Sequence, residues 1–404
     1  MPRLLFVTQQ LPWPLDSGGN LRTSALLEAL AGSFEVVLCS TTDGSEAARE
    51  GEDRYRALGV DTRLVPDSKQ HGTVGQALGV LRGLLSRESA VVAHNHNRAL
   101  GDAVRAALTE GVDLVHLNHI DTTPYLDLDA APPTVLDTHN LLFEYYARRA
   151  ELEQGALRRW ACRREARLLR AQEPALFRRV SRVLVCSEPE RSSLETVAPG
   201  VAVEVVPNGV DCERVQPAPF EETLGSSDLV FVGDLGYGPN ADAVQWFAEE
   251  ILPRVRAQEP AARLVAVGKN PPPEVVRLAE AREDLVVTGF VPEVAPYLRE
   301  ARLCVVPIRY GSGTRLKVLE AFAHAKPTLS TRVGAEGIDA RDGEHLLLRD
   351  GASELAEAVV ELLRDDGRAR ELGRRGRELA EERYAWPRIG AHLVELHRSL
   401  LASG

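Results

Sequence analysis

Short runs of β-branched and leucine residues alternate along this chain with longer stretches whose apolar positions return at helical spacing. A first series comprises Leu4 to Val7, Glu35 to Leu38, Leu114 to Leu117, Thr134 to Leu136, Arg182 to Cys186 and Val203 to Val206. A second comprises Leu229 to Val232, Arg263 to Val267, Leu285 to Thr288, Leu303 to Pro307, Pro327 to Thr331 and His345 to Leu348. Apolar strands separated by helix-length segments predict an α/β fold of parallel sheets with helices on both faces.

Between the two series lies VVPNGVDCERVQPAPFEE, residues 205–222, with three prolines and no sustained period. It reads as the end of one domain and the linker into the next. A chain of 404 residues also exceeds what one core usually organises. Two Rossmann-like domains are therefore expected, 1–207 and 212–385. Helical segments run from Ser353 to Glu382, and a last amphipathic stretch, Ile389 to Leu401, follows Pro387, which suits the first turn of a helix. In open parallel sheets ligands bind beyond the carboxyl ends of the strands, where helix N-termini favour anions. With two such domains, the expected site is the cleft between them.

Charge and cysteine usage narrow the partners. A formal net charge of −11 argues against general nucleic-acid binding, which draws most of its affinity from a basic surface. Five scattered cysteines suit reduced thiols in the cytoplasm better than a disulfide framework or a zinc site. The opening MPRLLFVTQQLPWP is too short for a signal-peptide core, and no stretch approaches the ~20 apolar residues of a membrane span.

The chemistry concentrates in PIRYGSGTRLKVLEAFAHAKPTLST, residues 307–331. A strand ends, a glycine loop follows, and Leu316, Leu319 and Ala323 keep helical spacing. Thr314 is placed to cap that helix, and Gly311 and Gly313 let backbone amides approach a phosphate. Arg315 and Lys317 put positive charge in the first turn, against the helix dipole, a conflict that a bound anion would resolve. Glu320 lies one turn on from Leu316, with acceptor oxygens suited to a pair of sugar hydroxyls. The bland alternative is a glycine turn and a solvated helix end.

This segment resembles the donor-site motif of family 4 retaining glycosyltransferases of the GT-B fold, many of which carry Glu-x7-Glu here. Glu320 matches the second Glu, which the resemblance places on the nucleotide ribose. The first falls on Ser312, so the chain is more similar to the subgroup reading G-[GS]-G-T-R-L-K-x-L-E. The segment 226–255 resembles the opening of the family's nucleotide-binding domain, but no Arg or Lys lies between Gly233 and Asn240. The diphosphate-holding role is therefore moved to Arg315 and Lys317. The segments around Gly268 and Gly289 resemble the loops that hold the base.

In the N-terminal half, LPWPLDSGGNLRT places Gly18-Gly19 at the start of a helix. Without G-x-G-x-x-G this is no dinucleotide fingerprint, which weighs against a dehydrogenase. In the family the corresponding pair brings backbone amides to the donor phosphate or sugar. VDLVHLNHIDTTPYL and TVLDTHNLLFEYYARR each set a histidine just after an apolar strand. By resemblance His139 is the stronger catalytic candidate and His119 the second, whereas His116 sits inside its strand pattern. Asp127-Leu-Asp129 mimics a metal triplet but lies in a proline-flanked loop. His94-Asn-His96 lacks further ligands at site-like spacing, so no metal is expected.

The Arg-rich stretch from Arg148 to Arg182 is a local basic patch in an acidic chain. It suits an anionic membrane or a lipid-diphosphate acceptor. The reading favoured from sequence is a solvated helix face with i,i+4 pairs to acids such as Glu165.

The resemblance implies sugar transfer from a nucleoside diphosphate sugar to an acceptor hydroxyl, with retained anomeric configuration and no metal or other cofactor. The final helix, 386–404, is expected to cross back to the first domain. The rival readings are a sugar-nucleotide epimerase of the same fold and a binding-only relative that has lost activity. Base, sugar and acceptor are left open.

Overall fold

The computed structural model describes residues 1–67, 89, 97–153, 155–311 and 315–403. Ser312, Gly313, Thr314, His94 and His96 lie outside the described residues. Two compact units form, one of Met1–Pro207 with Pro387–Gly404 and the other of Asn208–Trp386.

The first unit carries β1 (Arg3–Val7), β2 (Glu35–Thr42), β3 (Asp61–Pro66), β4 (Leu114–Asn118), β5 (Thr134–Asp137), β6 (Arg182–Val185) and β7 (Val203–Val205). Among the described residues they make one parallel sheet in the order β3-β2-β1-β4-β5-β6-β7. Leu4, Leu5, Phe6 and Val7 are fully buried, as a central strand covered on both faces requires. Each such side chain contributes about 1.5–3 kcal/mol on leaving water. The sequence reading did not include β3. Its residues Asp61, Thr62 and Arg63 lack an apolar run because the strand is a sheet edge paired to β2 alone, with Arg63 ion-paired to Asp61 and Glu110.

The second unit carries β8 (Asp228–Val232), β9 (Arg263–Val267), β10 (Leu285–Val287), β11 (Leu303–Val306), β12 (Thr328–Ser330) and β13 (Leu347–Leu348), parallel in the order β10-β9-β8-β11-β12-β13. Its helical tail is split, Ala352–Arg364 and Asp366–Leu379, because Asp365 leaves helical geometry and caps the next helix through Arg368 N.

In both sheets the strand order reverses at one place, between β1 and β4 and between β8 and β11. Loops leaving those central pairs diverge and open a crevice at the strands' carboxyl ends. Gly18, Gly19 and His119 follow β1 and β4, and Gly233, Arg315, Lys317 and Glu320 follow β8 and β11, at these two switch points, while His139 follows β5 and Gly289 the edge strand β10. The last helix, Trp386–Ser403, has Pro387 in its first turn and packs so closely on the helix Gly18–Ala31 that a Cβ at Gly390 would meet Ala29 Cβ at 2.6 Å. Inside the first unit, His116 of β4 stacks on Phe6 and bonds His397 of that helix over 3.1 Å.

Candidate functional site

In the second unit β8 delivers Gly233, and β11 runs on to Gly311 and the helix Leu316–Ala323. Leu316, Leu319 and Ala323 turn inward and fix that helix, which leaves Lys317 and Glu320 half-buried beside them. The Lys317 ammonium donates to Asn240 Oδ1 over 2.7 Å and lies 4.1 Å from the centroid of the Phe231 ring. Gly233 makes this approach possible, since a Cβ there would stand 2.6 Å from Lys317 Nζ and 2.7 Å from Asn240 Nδ2. Burial, with the Arg315 charge beside it, pulls Lys317 down to about 7. Burial likewise pushes Glu320 up to about 7 against the pull of Lys317. Among the described residues no hydrogen bond ends on the Glu320 carboxylate.

Arg315 is buried, its Nε 3.5 Å from the Val333 carbonyl oxygen. It folds back over Gly311, whose φ of 119° suits glycine and whose Cβ would stand 2.9 Å from the guanidinium. Gly268 is required for a different reason, because a Cβ there would fall 1.8 Å from the Gly233 carbonyl oxygen. Gly289 takes φ 70° at the end of β10, and its neighbour Phe290 leaves 72% of its surface exposed. The cluster is thus two cations and one carboxyl beside glycine-shaped backbone. It can hold a diphosphate and a pair of hydroxyls.

The first unit gathers Gly19, His119 and His139. Ser17 caps the helix Gly18–Ala31 by accepting from Asn20 N, which leaves Gly18 and Gly19 exposed at its first turn. A Cβ at Gly19 would lie 3.6 Å from His139 Nδ1. His139 Nε2 donates to Asn118 Oδ1 over 3.0 Å, and Asn118 is held in turn by Thr8 and Thr23. In this arrangement the proton sits on Nε2 and the Nδ1 lone pair faces Gly19. Burial pulls His139 down to about 4, so the ring is neutral at pH 7. His119 meets it edge to face with ring centroids 5.8 Å apart. Its backbone is strained, φ 78°, and its amide donates to the Asp137 carbonyl oxygen over 2.8 Å. Burial opposes charge on His119, but Asp121, 3.4 Å away, together with Glu173 and Asp137 outweighs it and raises the pKa.

Beneath this cluster lies a fully buried ion pair that the sequence reading missed. Arg22 binds both Asp137 oxygens, at 3.0 and 2.6 Å, and also the carbonyl oxygens of Val206 and Pro207. Burial alone would raise Asp137, but the guanidinium holds its carboxyl below the usual range. Charged residues inside apolar runs, Arg22 in NLRTSALL and Asp137 at the end of TVLD, were the available signal. Asn240 was signalled in the same way, as a polar side chain on an inward helix position.

The Arg-rich stretch keeps its solvated face and some i,i+4 pairs, but not the expected one to Glu165. Arg148 and Arg149 pair with Glu144 and Glu153 at i,i+4 spacing. On the helix Ala156–Phe177, however, Glu165 is buried and bonded to the Ser89 hydroxyl, and its ion pair is with the adjacent Arg164. Among the described residues Arg158, Arg163 and Arg167 form no ion pair. Helical geometry turns Glu165 to the core side and those arginines to solvent. Asp127 and Asp129 are exposed and paired with Arg179.

A pair of Rossmann-like parallel-sheet domains with these crevices is the GT-B class of fold. Along its whole length the chain superposes on sucrose-phosphate synthase from Thermosynechococcus elongatus, with a TM-score of 0.73 at 19% identity and full coverage of both chains. It also superposes on Anabaena HepE solved with UDP and glucose, at 0.66 and 14%, covering 99% of this chain and 100% of that one. Residues 17–214 match the model described as Glycosyltransferase Family 4, and residues 226–365 the model described as Glycosyl transferases group 1. The chain belongs to this family of glycosyltransferases. A GDP-mannose-dependent alpha-(1-6)-phosphatidylinositol monomannoside mannosyltransferase of Mycolicibacterium smegmatis is 30% identical over 220 residues, 49% of this chain and 56% of that protein. The chain spans about half the length of the curated relatives of this kind that it matches.

Proposed function

We propose that this protein transfers a sugar from a nucleoside diphosphate sugar to an acceptor hydroxyl, with retained anomeric configuration and without a metal. The observation that carries the reading is the cluster of Lys317, Arg315 and Glu320 at the crevice of the second sheet. Lys317 and Arg315 stabilise the diphosphate as it leaves, the step in which negative charge develops. Glu320 accepts from the ribose hydroxyls, and Phe290 offers an aromatic face for the base. Ser312, Gly313 and Thr314 belong to the same loop in this reading, as do Gly233 and Gly289 around it.

His139, neutral and with Nδ1 free to accept, orients a hydroxyl of the donor sugar near Gly18 and Gly19, and His119 supports it. Among the described residues no side chain near His139 is set up as an attacking nucleophile, which favours a front-face reaction in which the leaving diphosphate takes the acceptor proton. The reading also places the protein in the cytoplasm, where its five buried, unpaired cysteines stay reduced. Among the described residues no helix is long and apolar enough to cross a membrane. Peripheral contact with a membrane through the stretch 148–182 is part of the same reading.

The test is to incubate the protein with UDP-, GDP-, dTDP- and ADP-sugars and follow nucleotide release and product anomers by NMR. Release of one nucleoside diphosphate with an axial anomer conserved from donor to product supports the reading. Epimerised sugar or no turnover of any donor rejects it.

A further inference from the structure

Arg22 and Asp137 leave 2% and 0% of their side chains in solvent. Replacing such a buried pair by apolar residues of like volume is often neutral or stabilising, so stability alone does not account for its place in the core. Its partners do. Arg22 sits one turn past Gly18 and Gly19 on the helix Gly18–Ala31. Its fork takes both carboxylate oxygens of Asp137, which closes β5 two positions before His139. Asp137 Oδ2 lies 3.7 Å from His139 Nε2, and the Asp137 carbonyl oxygen accepts from the His119 amide. The third nitrogen of Arg22, Nη1, donates to the carbonyl oxygens of Val206 and Pro207, beyond the end of β7 at Val205. A neutral donor would serve those two carbonyls. Only the carboxylate calls for a guanidinium, whose planar fork fixes direction as well as distance.

We infer that Arg22, through Asp137, is a positioning residue that sets His139 against the Gly18-Gly19 turn. The glycines and the histidine belong to different elements, and the place of one against the other decides where His139 Nδ1 points, 3.6 Å from a Cβ at Gly19. Two parallel N–H···O bonds hold that placement where an apolar contact would let the helix slide on the strand. Thr23, the next residue, supports the same alignment by donating to the Gly19 carbonyl oxygen over 2.8 Å, with Asn118 Oδ1 at 3.3 Å. Sealed from solvent, Arg22 reaches neither donor nor acceptor. Its role rests on the transferase reading, in which His139 orients a donor hydroxyl.

The experiment compares Arg22→Lys and Arg22→Met/Asp137→Leu with wild type in two readouts, donor turnover and the ¹⁵N-imidazole spectrum of His139 in the free protein, assigned by its loss in His139→Gln. Wild type is expected to show a single Nε2–H tautomer. Arg22→Lys keeps the charge without the fork, and the double variant keeps the packing without either. Both should lose the single-tautomer signal, and kcat and kcat/KM should fall together by about a hundred-fold, the effect of a shift of about 1 Å. Val104→Ala, which thins the core of the same unit on the helix Arg98–Thr109, should lower Tm and leave kcat and the spectrum as in wild type. An unchanged His139 spectrum in both Arg22 variants, or a kcat loss shared by Val104→Ala, would overturn the inference. If folded wild type turns over no donor, the transferase reading falls and the spectra alone decide the role of Arg22.

Discussion

Lys317 Nζ stands where a side chain on Gly233 would have to begin, 2.6 Å from the position of its missing Cβ, and donates to Asn240 over 2.7 Å. The glycine is therefore a requirement of the lysine. Gly233→Ala should push aside the flexible ends of Lys317 and Asn240 without disturbing β8. Nucleoside diphosphate affinity is expected to fall roughly ten- to hundred-fold, the worth of a hydrogen bond to a charged group. Calorimetric titration alongside a melting curve checks this, and unchanged affinity with a large drop in Tm would show a purely structural glycine.

The same lysine predicts a pH dependence. Lys317 in the free protein gives up its proton at about 7, and a bound diphosphate would favour the ammonium and raise that value. Binding above pH 7 then takes up a proton, so affinity should decline as pH rises from 7 to 9. Glu320, also near 7, works in the opposite sense because binding favours its carboxylate, so the uptake is read in a Glu320→Gln background by titrations in buffers of different ionisation enthalpy. Adding Lys317→Met there should abolish both the uptake and the slope, and a flat profile in the Glu320→Gln protein itself would refute the assignment.

Asp137→Asn should be among the most damaging single changes in the first unit. It leaves Arg22 as an uncompensated buried charge, at a cost of about 3–5 kcal/mol. Urea denaturation should report that loss. Arg22→Met/Asp137→Leu, which removes both charges, should recover much of it. If the single change costs less than about 1 kcal/mol, the pair is not as dry as its burial indicates.

The terminal helix carries an acid sensitivity of its own. Burial pulls His397 down to about 4 and His116 to about 3. For a base whose folded pKa is depressed, the unfolded chain binds more protons below about pH 6.5, so stability from this pair is lost as pH falls through that range. His397→Gln should lower Tm at pH 7, where it loses the bond to His116, and the gap to wild type should narrow by pH 5. A gap that widens on acidification would contradict the neutral pairing.

The strands and the two-unit division were readable because central parallel strands such as Leu4–Val7 and Leu229–Val232 are buried on both faces and show as unbroken apolar runs. The edge strand Asp61–Pro66 was not, since half-exposed positions accept any polar residue. Arg315 and Lys317 stood out because their charge opposes the helix dipole, whereas Glu320, Gly19 and His139 were singled out chiefly by their resemblance to the family's motifs. Asn118, Asp137, Arg22 and Asn240 escaped notice because their meaning lies in partners tens of residues away. Arg22 and Asp137, for example, are 115 positions apart. The arginines of the helix Ala156–Phe177 face solvent as expected, but their pairing with Glu165 was misjudged because spacing could not tell which face that acid takes.

The central claim is that the second unit binds a nucleoside diphosphate with its ribose on Glu320. Calorimetry of UDP, GDP, dTDP and ADP, on wild type and Glu320→Ala and without added metal, tests it most directly. The account predicts that one nucleotide binds the wild type well and the variant roughly ten- to hundred-fold more weakly. If none binds, or if wild type and variant bind alike, the donor site is not where Lys317, Arg315 and Glu320 converge.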